Sequence, residues 1–200
     1  MAISAGDVKR LREKTGAGFM DCKAALEQCG GDFEAAVDAL RKKGIAVATK
    51  KADKATQQGL VSCYIHAGDQ VGVMLEVNCQ TDFAARTPEF REFAHNVAMQ
   101  IAAMRPRWVS RDEVPPDAIE RERAVLVEQA KTEGKPQDIA EKMVEGRMRK
   151  FYEEYCLLDQ KYIRDDSMTI NDLLLALTGK TGELIVVRRF ARFQVGEELA

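Results

Sequence analysis

A β-hairpin pattern in an otherwise helical chain is the sequence feature that most constrains the fold. Residues 60–66 and 71–78 are rich in β-branched and aromatic side chains, and the segment 67–70 between them is typical of a turn. A second β-branched run, residues 184–195, predicts a third strand. Three antiparallel strands with helices segregated around them define an α+β fold.

Caps and glycines divide the first 44 residues into three short helices. Ser4 and Asp32 are suitable N-caps, and the segments Gly16-Ala17-Gly18 and Gly30-Gly31 permit tight turns. The apolar residues between these signals recur at helical spacing. The sequence therefore predicts a three-helix domain over residues 1–44, with a small core of its own.

A basic stretch of small residues follows this domain. Gly44 is expected just past the end of the third helix, and residues 45–58 are predicted to form a linker to a core domain, residues 59–200. The linker lysines have two interpretations, a solvated tether or a contact with an acidic partner surface. The sequence leaves both open.

Helical patterns complete the core domain. From Pro88 to Met104 apolar residues form one stripe that faces a core. Proline and glycine signals at 115–116 and 134–136 bracket one helix, and a further helix starts near Pro136. The two helices must lie antiparallel because the turn between them is short. We therefore predict a helical hairpin over about residues 117–158.

Composition and cysteine spacing exclude several classes of function. The net charge of −2 over 200 residues gives no reason to expect nucleic acid or an anionic membrane as a partner. No apolar run approaches the roughly 20 residues of a membrane helix, and the first residues do not read as a signal peptide. The five cysteines lack C-x-x-C spacing, which argues against a disulfide framework and fits a reducing cytosol. A cytoplasmic location is predicted.

The residue patterns predict no catalytic, metal or cofactor site. Gly16-Ala17-Gly18 follows a helix, not a strand, and lacks the downstream residues of a phosphate-binding loop. His66 and His95 are the only histidines, and Cys63 and His66 would face opposite ways in a regular strand. Because the carboxylates are spread over helix surfaces, neither a metal site nor an enzyme is expected.

One connection does not resemble a core element. Residues 79–86 join the second strand to the helix at Pro88 and place Phe83 in a short polar segment. Phe83 either folds back on the core or is an exposed aromatic anchor for the pocket of a partner. The residue pattern alone does not decide between these two interpretations.

Three motifs in the expected order resemble the elongation factor Ts family. Thr81-Asp82-Phe83-Ala84-Ala85, preceded by residues 76–80, is similar to the T-D-F-V-A signature of that family. Residues 8–26 resemble its first signature, and residues 134–147 resemble a third. The resemblance spans nearly the whole chain. It departs from the family pattern at Ala84, where the family has valine.

This resemblance implies a guanine-nucleotide exchange factor for elongation factor Tu, with no chemical step of its own. Such a factor binds Tu in its GDP-bound and nucleotide-free forms. The residues that match the family motif, Thr81, Asp82, Phe83 and Ala84, would enter Tu beside its magnesium site. The aromatic ring would wedge between two helices and disturb the groups that hold Mg²⁺ and the phosphates. A helical adaptor that binds another partner is the alternative.

The resemblance also implies further contacts with Tu. The three-helix domain would be ubiquitin-associated-like (UBA-like), and Arg12 and Met20 are its candidate contact residues, although a packing role for Met20 is an equal alternative. The segment around His66 resembles a turn that touches Tu in longer family members. A solvated turn histidine is the competing interpretation of His66.

The chain resembles the short, single-core members of the family, which form homodimers that engage two Tu molecules. An exposed sheet edge favours pairing with another chain. Strict alternation along the closing strand places Val186 and Phe190 on one face and Val187, Ala191 and Phe193 on the other. Because Ala191 occupies the position at which some members carry a bridging cysteine, any dimer must hold by strand and side-chain packing.

Overall fold

A computed structural model describes residues 3–133 and 137–198. The chain divides into two compact units, one made of residues up to Ala102 together with those from Asn171 onward, and the other of residues 103–170. Mixed helix and sheet confirm the predicted α+β class. The domain boundaries at residues 44 and 58 stay predictions.

Three helices open the chain, as predicted: α1 (Ala5–Thr15), α2 (Phe19–Gln28) and α3 (Phe33–Lys50). Both predicted caps are confirmed, because the side chain of Ser4 accepts a hydrogen bond from the backbone N–H of Asp7 and that of Asp32 accepts one from Ala35. These caps fix where α1 and α3 begin. The helices enclose a small apolar core of Val8, Leu11, Ala17, Cys22, Ala25, Leu26, Ala36 and Leu40.

The third helix continues beyond its predicted end. Gly44 lies inside α3, which runs on to Lys50, so the first part of the predicted linker is helical. A Cβ atom at Gly44 would lie 2.3 Å from the carbonyl oxygen of Leu175 in a later helix, α8 (Ile170–Thr181). The glycine therefore serves close packing between two helices and does not end a helix, which corrects the prediction.

The described residues contain five strands: β1 (Gln58–Ile65), β2 (Val71–Cys79), β3 (Lys161–Tyr162), β4 (Asp165–Thr169) and β5 (Val186–Gln194). The predicted three-stranded antiparallel sheet is confirmed, with strand order β1-β2-β5. Val73, Leu75 and Val77 are buried on its inner face. On the same side lies α5 (Pro88–Met104), since Tyr64 of β1 makes an edge-to-face contact with His95 of α5.

A β-bulge corrects the predicted faces of β5. Arg189 pairs with Glu76 whereas Val187 pairs with Val77, so the register shifts by one residue between them. Val187 is consequently buried on the inner face, and Ala191 and Phe193 lie on the outer face. The prediction that Val187 shares a face with them is wrong, because strict alternation fails at a bulge.

The second unit contains the predicted helical hairpin, built from α6 (Pro116–Thr132) and α7 (Gln137–Tyr155). The guanidinium of Arg147 in α7 donates to Gln129 near the end of α6, as expected for antiparallel neighbours. The predicted turn at 134–136 lies outside the described residues. The two-stranded sheet β3-β4 was not predicted, since its strands are short and largely polar.

Candidate functional site

The connection that carries the Thr-Asp-Phe motif contains a short helix. This helix is α4 (Asp82–Arg86), between the end of β2 and the start of α5. Thr81 is its N-cap, and the hydroxyl oxygen of Thr81 accepts a hydrogen bond from the backbone N–H of Ala84 at 3.3 Å. The cap gives this five-residue helix a defined start.

The direction of α4 excludes one of the two interpretations of Phe83, packing on the core. Ala84 and Ala85 are buried, whereas the side chain of Phe83 is 79% exposed. Phe83 therefore does not fold back on the core. The buried alanine side chains allow the helix to pack closely against the rest of the unit, and the large ring of Phe83 projects from the surface.

Asp82 lies beside Phe83 and remains accessible. Its carboxylate forms an ion pair with Arg86 one helical turn away, with 2.9 Å between Oδ2 and the guanidinium nitrogen. Arg86 is largely exposed and Asp82 is about half exposed, and i,i+4 pairs near the surface contribute only about 0.3–0.5 kcal/mol. A partner can therefore separate Asp82 from Arg86 at little cost.

Two residues that sequence reasoning missed contact the start of this segment. The carboxylate of Glu183 accepts hydrogen bonds from Thr81, and the ammonium of Lys51 donates to the side chain of Gln80. Glu183 is 102 residues from Thr81 in the chain. No local sequence pattern signals a contact at that separation.

The candidate contact residues of the three-helix domain are also exposed. Arg12 lies on the outside of α1, and Met20, in the first turn of α2, is 69% exposed. Its exposure rules out a core-packing role for Met20. The preceding residue, Phe19, is exposed as well and was not selected from the sequence.

His66 follows β1 at the hairpin turn and is exposed. Its Nδ1 lies 2.9 Å from the hydroxyl oxygen of Tyr64, a hydrogen bond that restrains the imidazole ring. The candidate contact residues thus lie on four different elements: the motif on α4, Arg12 on α1, Met20 on α2 and His66 at the β1–β2 turn. A shared role for them would require a large partner surface.

A second exposed surface is the outer face of the three-stranded sheet. Strand register places Ile65 and Phe193 on either side of Gly72, and Cys63 and Ala191 on either side of Met74. Most of these side chains are exposed, Phe193 by 66%. Contiguous exposed apolar side chains mark interaction sites in most proteins. We call this surface, with Val61, the outer sheet face.

Three of the cysteine thiols are buried. Burial raises the pKa of the thiols of Cys22, Cys79 and Cys156, the last to about 11, so these thiols stay protonated at neutral pH. Residues 3–133 and 137–198 contain no group of three or more His, Cys, Asp or Glu side chains placed to hold a metal ion. The helices within those ranges are too short or too polar to cross a membrane.

Comparison with known proteins identifies the family. A family model described as "Elongation factor TS" matches residues 23–197. The protein named Elongation factor Ts of Syntrophobacter fumaroxidans is 55% identical over 198 residues, which cover 99% of both chains. The protein of the same name from Moorella thermoacetica is 53% identical over 195 residues, covering 98% of this chain and 96% of that protein.

The family model and these relatives agree over nearly the full length of the chain. The motif Thr81-Asp82-Phe83-Ala84 lies within the matched region. The chain therefore belongs to the elongation factor Ts family, whose members serve in translation elongation.

Proposed function

We propose that the chain is a guanine-nucleotide exchange factor for elongation factor Tu. It binds Tu·GDP, loosens the site that holds Mg²⁺ and the phosphates, and stays bound to nucleotide-free Tu until GTP enters. Family membership supports this role, and the observation that carries it is the projection of Phe83 from a capped helix. We place this exchange in the cytoplasm.

Phe83 supplies the wedge. A ring that is largely exposed in the free chain gains free energy when it enters an apolar pocket, and buried aromatic residues dominate many interfaces. Inserted between two helices of Tu, Phe83 stabilises a conformation in which the groups that hold the nucleotide are displaced. Asp82, released from Arg86, brings a negative charge to the edge of the magnesium site.

The exchange needs no chemical step by the chain. If binding of this chain lowers the affinity of Tu for GDP by some factor, binding of GDP must lower the affinity of Tu for the chain by the same factor. Loss of the divalent cation removes the charge that balances the phosphates, so GDP dissociates faster. The chain therefore acts through its preference for one conformation of Tu.

Contacts away from α4 supply the remaining binding energy. Arg12 and Met20 meet one part of Tu through the UBA-like domain, and His66 meets another through the hairpin turn. Their exposure in the free chain supports these assignments. Because the contacts are spread over four elements, loss of Phe83 weakens exchange more than it weakens association.

The chain forms a homodimer through the outer sheet face, and two Tu molecules bind one dimer. The exposed apolar side chains on this face support pairing with a second copy. Arg188, Arg189 and Arg192 of β5 would repel their copies across a two-fold axis unless they are offset or paired with acids. Arg189 pairs with Glu76 at 2.7 Å and Arg192 with Glu197 at 3.5 Å. Three strands of about eight residues present a face of roughly 400 Å². Standard interfaces bury about 800 Å² per partner, so we expect a dimer that dissociates on dilution.

Release of a fluorescent GDP analogue from Tu tests the proposed function. With excess unlabelled GDP as a trap, the chain should accelerate release in a concentration-dependent, saturable manner. Binding to Tu without acceleration would refute exchange. Absence of both binding and acceleration would refute exchange and support the alternative, a helical adaptor that binds another partner.

A further inference from the structure

Glu183 holds the residues that lead into α4. It follows α8 and precedes β5, and its carboxylate faces the end of β2. One oxygen, Oε2, accepts hydrogen bonds from the backbone N–H groups of Gln80 and Thr81 at 3.2 and 3.1 Å. The other, Oε1, accepts from the hydroxyl of Thr81 at 2.6 Å. A single side chain thus satisfies three donors.

The contact with Thr81 extends into the helix that carries Phe83. The hydroxyl of Thr81 donates its proton to Glu183 and accepts a hydrogen bond from the N–H of Ala84 in the first turn of α4. Because the hydroxyl proton points at the carboxylate, a lone pair is left for the Ala84 N–H. The orientation of the cap therefore depends on Glu183.

Gln80 provides a second restraint on the same segment. Its side-chain oxygen accepts from the ammonium of Lys51 at 3.0 Å and from the backbone N–H of Leu184 at 3.4 Å. Lys51 is the C-cap residue of α3. The segment before α4 is thus tied both to the residues that precede β5 and to the end of α3.

We propose that Glu183 is a positioning residue for the wedge, fixing Thr81 and α4 so that Phe83 projects in one direction. This inference rests on the proposed exchange function. A helix of five residues is not stable by itself, so its orientation depends on the contacts at its ends as well as on the burial of Ala84 and Ala85. Because the carboxylate removes freedom before association, less conformational entropy is lost when Phe83 enters the partner.

Two substitutions separate positioning from a general effect on folding. Glu183→Ala removes all three hydrogen bonds. Glu183→Gln keeps the two backbone hydrogen bonds, because its amide oxygen accepts from both N–H groups. It replaces the third by a hydrogen bond of opposite direction, in which its NH₂ group donates to the Thr81 hydroxyl oxygen. Glu92→Ala, an exposed carboxylate on α5, is the matched control.

The first measurement uses the free chain and does not depend on Tu. Residue-resolved amide hydrogen exchange should show Gln80 and Thr81 exchanging about 10-fold faster in Glu183→Ala, and within about threefold of wild type in Glu183→Gln and Glu92→Ala. The amide of Leu75 at the centre of the sheet should not change, which shows that the fold is intact. Unchanged exchange at Gln80 and Thr81 in Glu183→Ala overturns the positioning role.

The second measurement is GDP release from Tu at saturating concentrations of the chain. Glu183→Ala should lower the maximal release rate by about 10-fold with a smaller change in the half-saturating concentration, and Glu183→Gln should restore most of the rate. In a Phe83→Ala background, Glu183→Ala should cause no further loss, because it acts through Phe83. Losses that multiply in the double variant overturn the inference.

The two measurements separate failure of this inference from failure of the proposed function. If the wild-type chain releases no GDP from Tu, exchange is refuted, and amide exchange alone decides whether Glu183 positions the segment. If the wild type releases GDP and Glu183→Ala matches it, exchange stands and positioning is refuted.

Discussion

Replacement of Phe83 by alanine removes the proposed wedge while leaving the fold in place. The side chain is 79% exposed and makes little use of the core, so the free energy of unfolding should change by less than about 0.5 kcal/mol. The buried neighbours Ala84 and Ala85 continue to seat α4. Any loss of exchange then reports on the complex with Tu.

The expected size of that loss follows from the exposed area of the ring. An aromatic side chain buries about 150–250 Å², and four fifths of that area is roughly 160 Å² available to a partner. At about 25 cal/mol per Å² its burial is worth at most about 4 kcal/mol, part of which the alanine Cβ retains. We therefore expect a loss of about 2–4 kcal/mol, which slows exchange by roughly 30-fold to 1,000-fold.

Fluorescent GDP release from Tu, with thermal unfolding as a check on folding, measures this loss. Phe83→Leu should keep much of the activity, since it retains a large apolar side chain. Val125→Ala, an exposed apolar residue on α6, should behave as wild type. Wild-type release kinetics in Phe83→Ala would show that the ring is not the wedge.

Four further predictions concern stability, cysteine chemistry and assembly. Gly44→Ala should lower the free energy of unfolding by about 1–3 kcal/mol, because the new Cβ would meet a backbone carbonyl of α8. Gly146→Ala, in open space on α7, should raise the free energy of unfolding by about 0.4–1 kcal/mol. Equal melting temperatures for the two variants would contradict this. A hydrogen bond from Lys180 lowers the pKa of Glu89 from its usual 4.5, so this carboxylate stabilises the fold above that pH and the contribution is lost as pH falls through the lower folded value. The urea midpoint of Glu89→Gln should therefore fall less steeply than that of wild type between about pH 5 and pH 3, and parallel curves would refute the assignment. In light scattering across a dilution series, wild type should approach twice 22.3 kDa at high concentration and Phe193→Asp should stay near 22.3 kDa; a wild-type mass of 22.3 kDa at all micromolar concentrations would exclude the dimer. Single replacement of Cys22, Cys29, Cys63, Cys79 or Cys156 should leave the rate of GDP release within a few-fold of wild type and lower the free energy of unfolding by about 1 kcal/mol at the buried sites. A dimer that dissociates on addition of reductant would contradict this.

Local patterns predicted the elements whose formation depends on neighbours in sequence. The hairpin follows from β-branched runs on either side of a turn, and the caps at Ser4 and Asp32 follow from their side-chain chemistry. The stripe of α5 is long enough for its period to be unambiguous. In each case the information lies within a few residues.

Features that depend on distant neighbours escaped prediction. Gly44 resembles a helix end until its contact with Leu175 is known, and the bulge beside Arg189 appears only once β5 pairs with β2. The contact of Glu183 with Thr81 spans 102 residues. The helix and strand periods of the sequence carry no information on contacts between residues so far apart in the chain.

The candidate site shows the same division. The motif identified Phe83 as a candidate, but whether its ring packs on the core depended on the direction in which α4 leaves β2. Burial of Ala84 and Ala85 sets that direction. The motif residues can be identified from the sequence, whereas their exposure could be determined only from the structure.

The proposed exchange requires that GDP and this chain weaken each other's binding to Tu, and a binding measurement tests this antagonism directly. Calorimetric titration of the chain into nucleotide-free Tu and into Tu saturated with GDP gives two affinities. Their ratio must equal the factor by which the chain lowers the affinity of Tu for GDP. We expect the chain to bind nucleotide-free Tu more tightly than Tu·GDP, by at least about 5-fold. Equal affinity for the two forms of Tu would contradict it, because a ligand that binds two states equally cannot shift the balance between them.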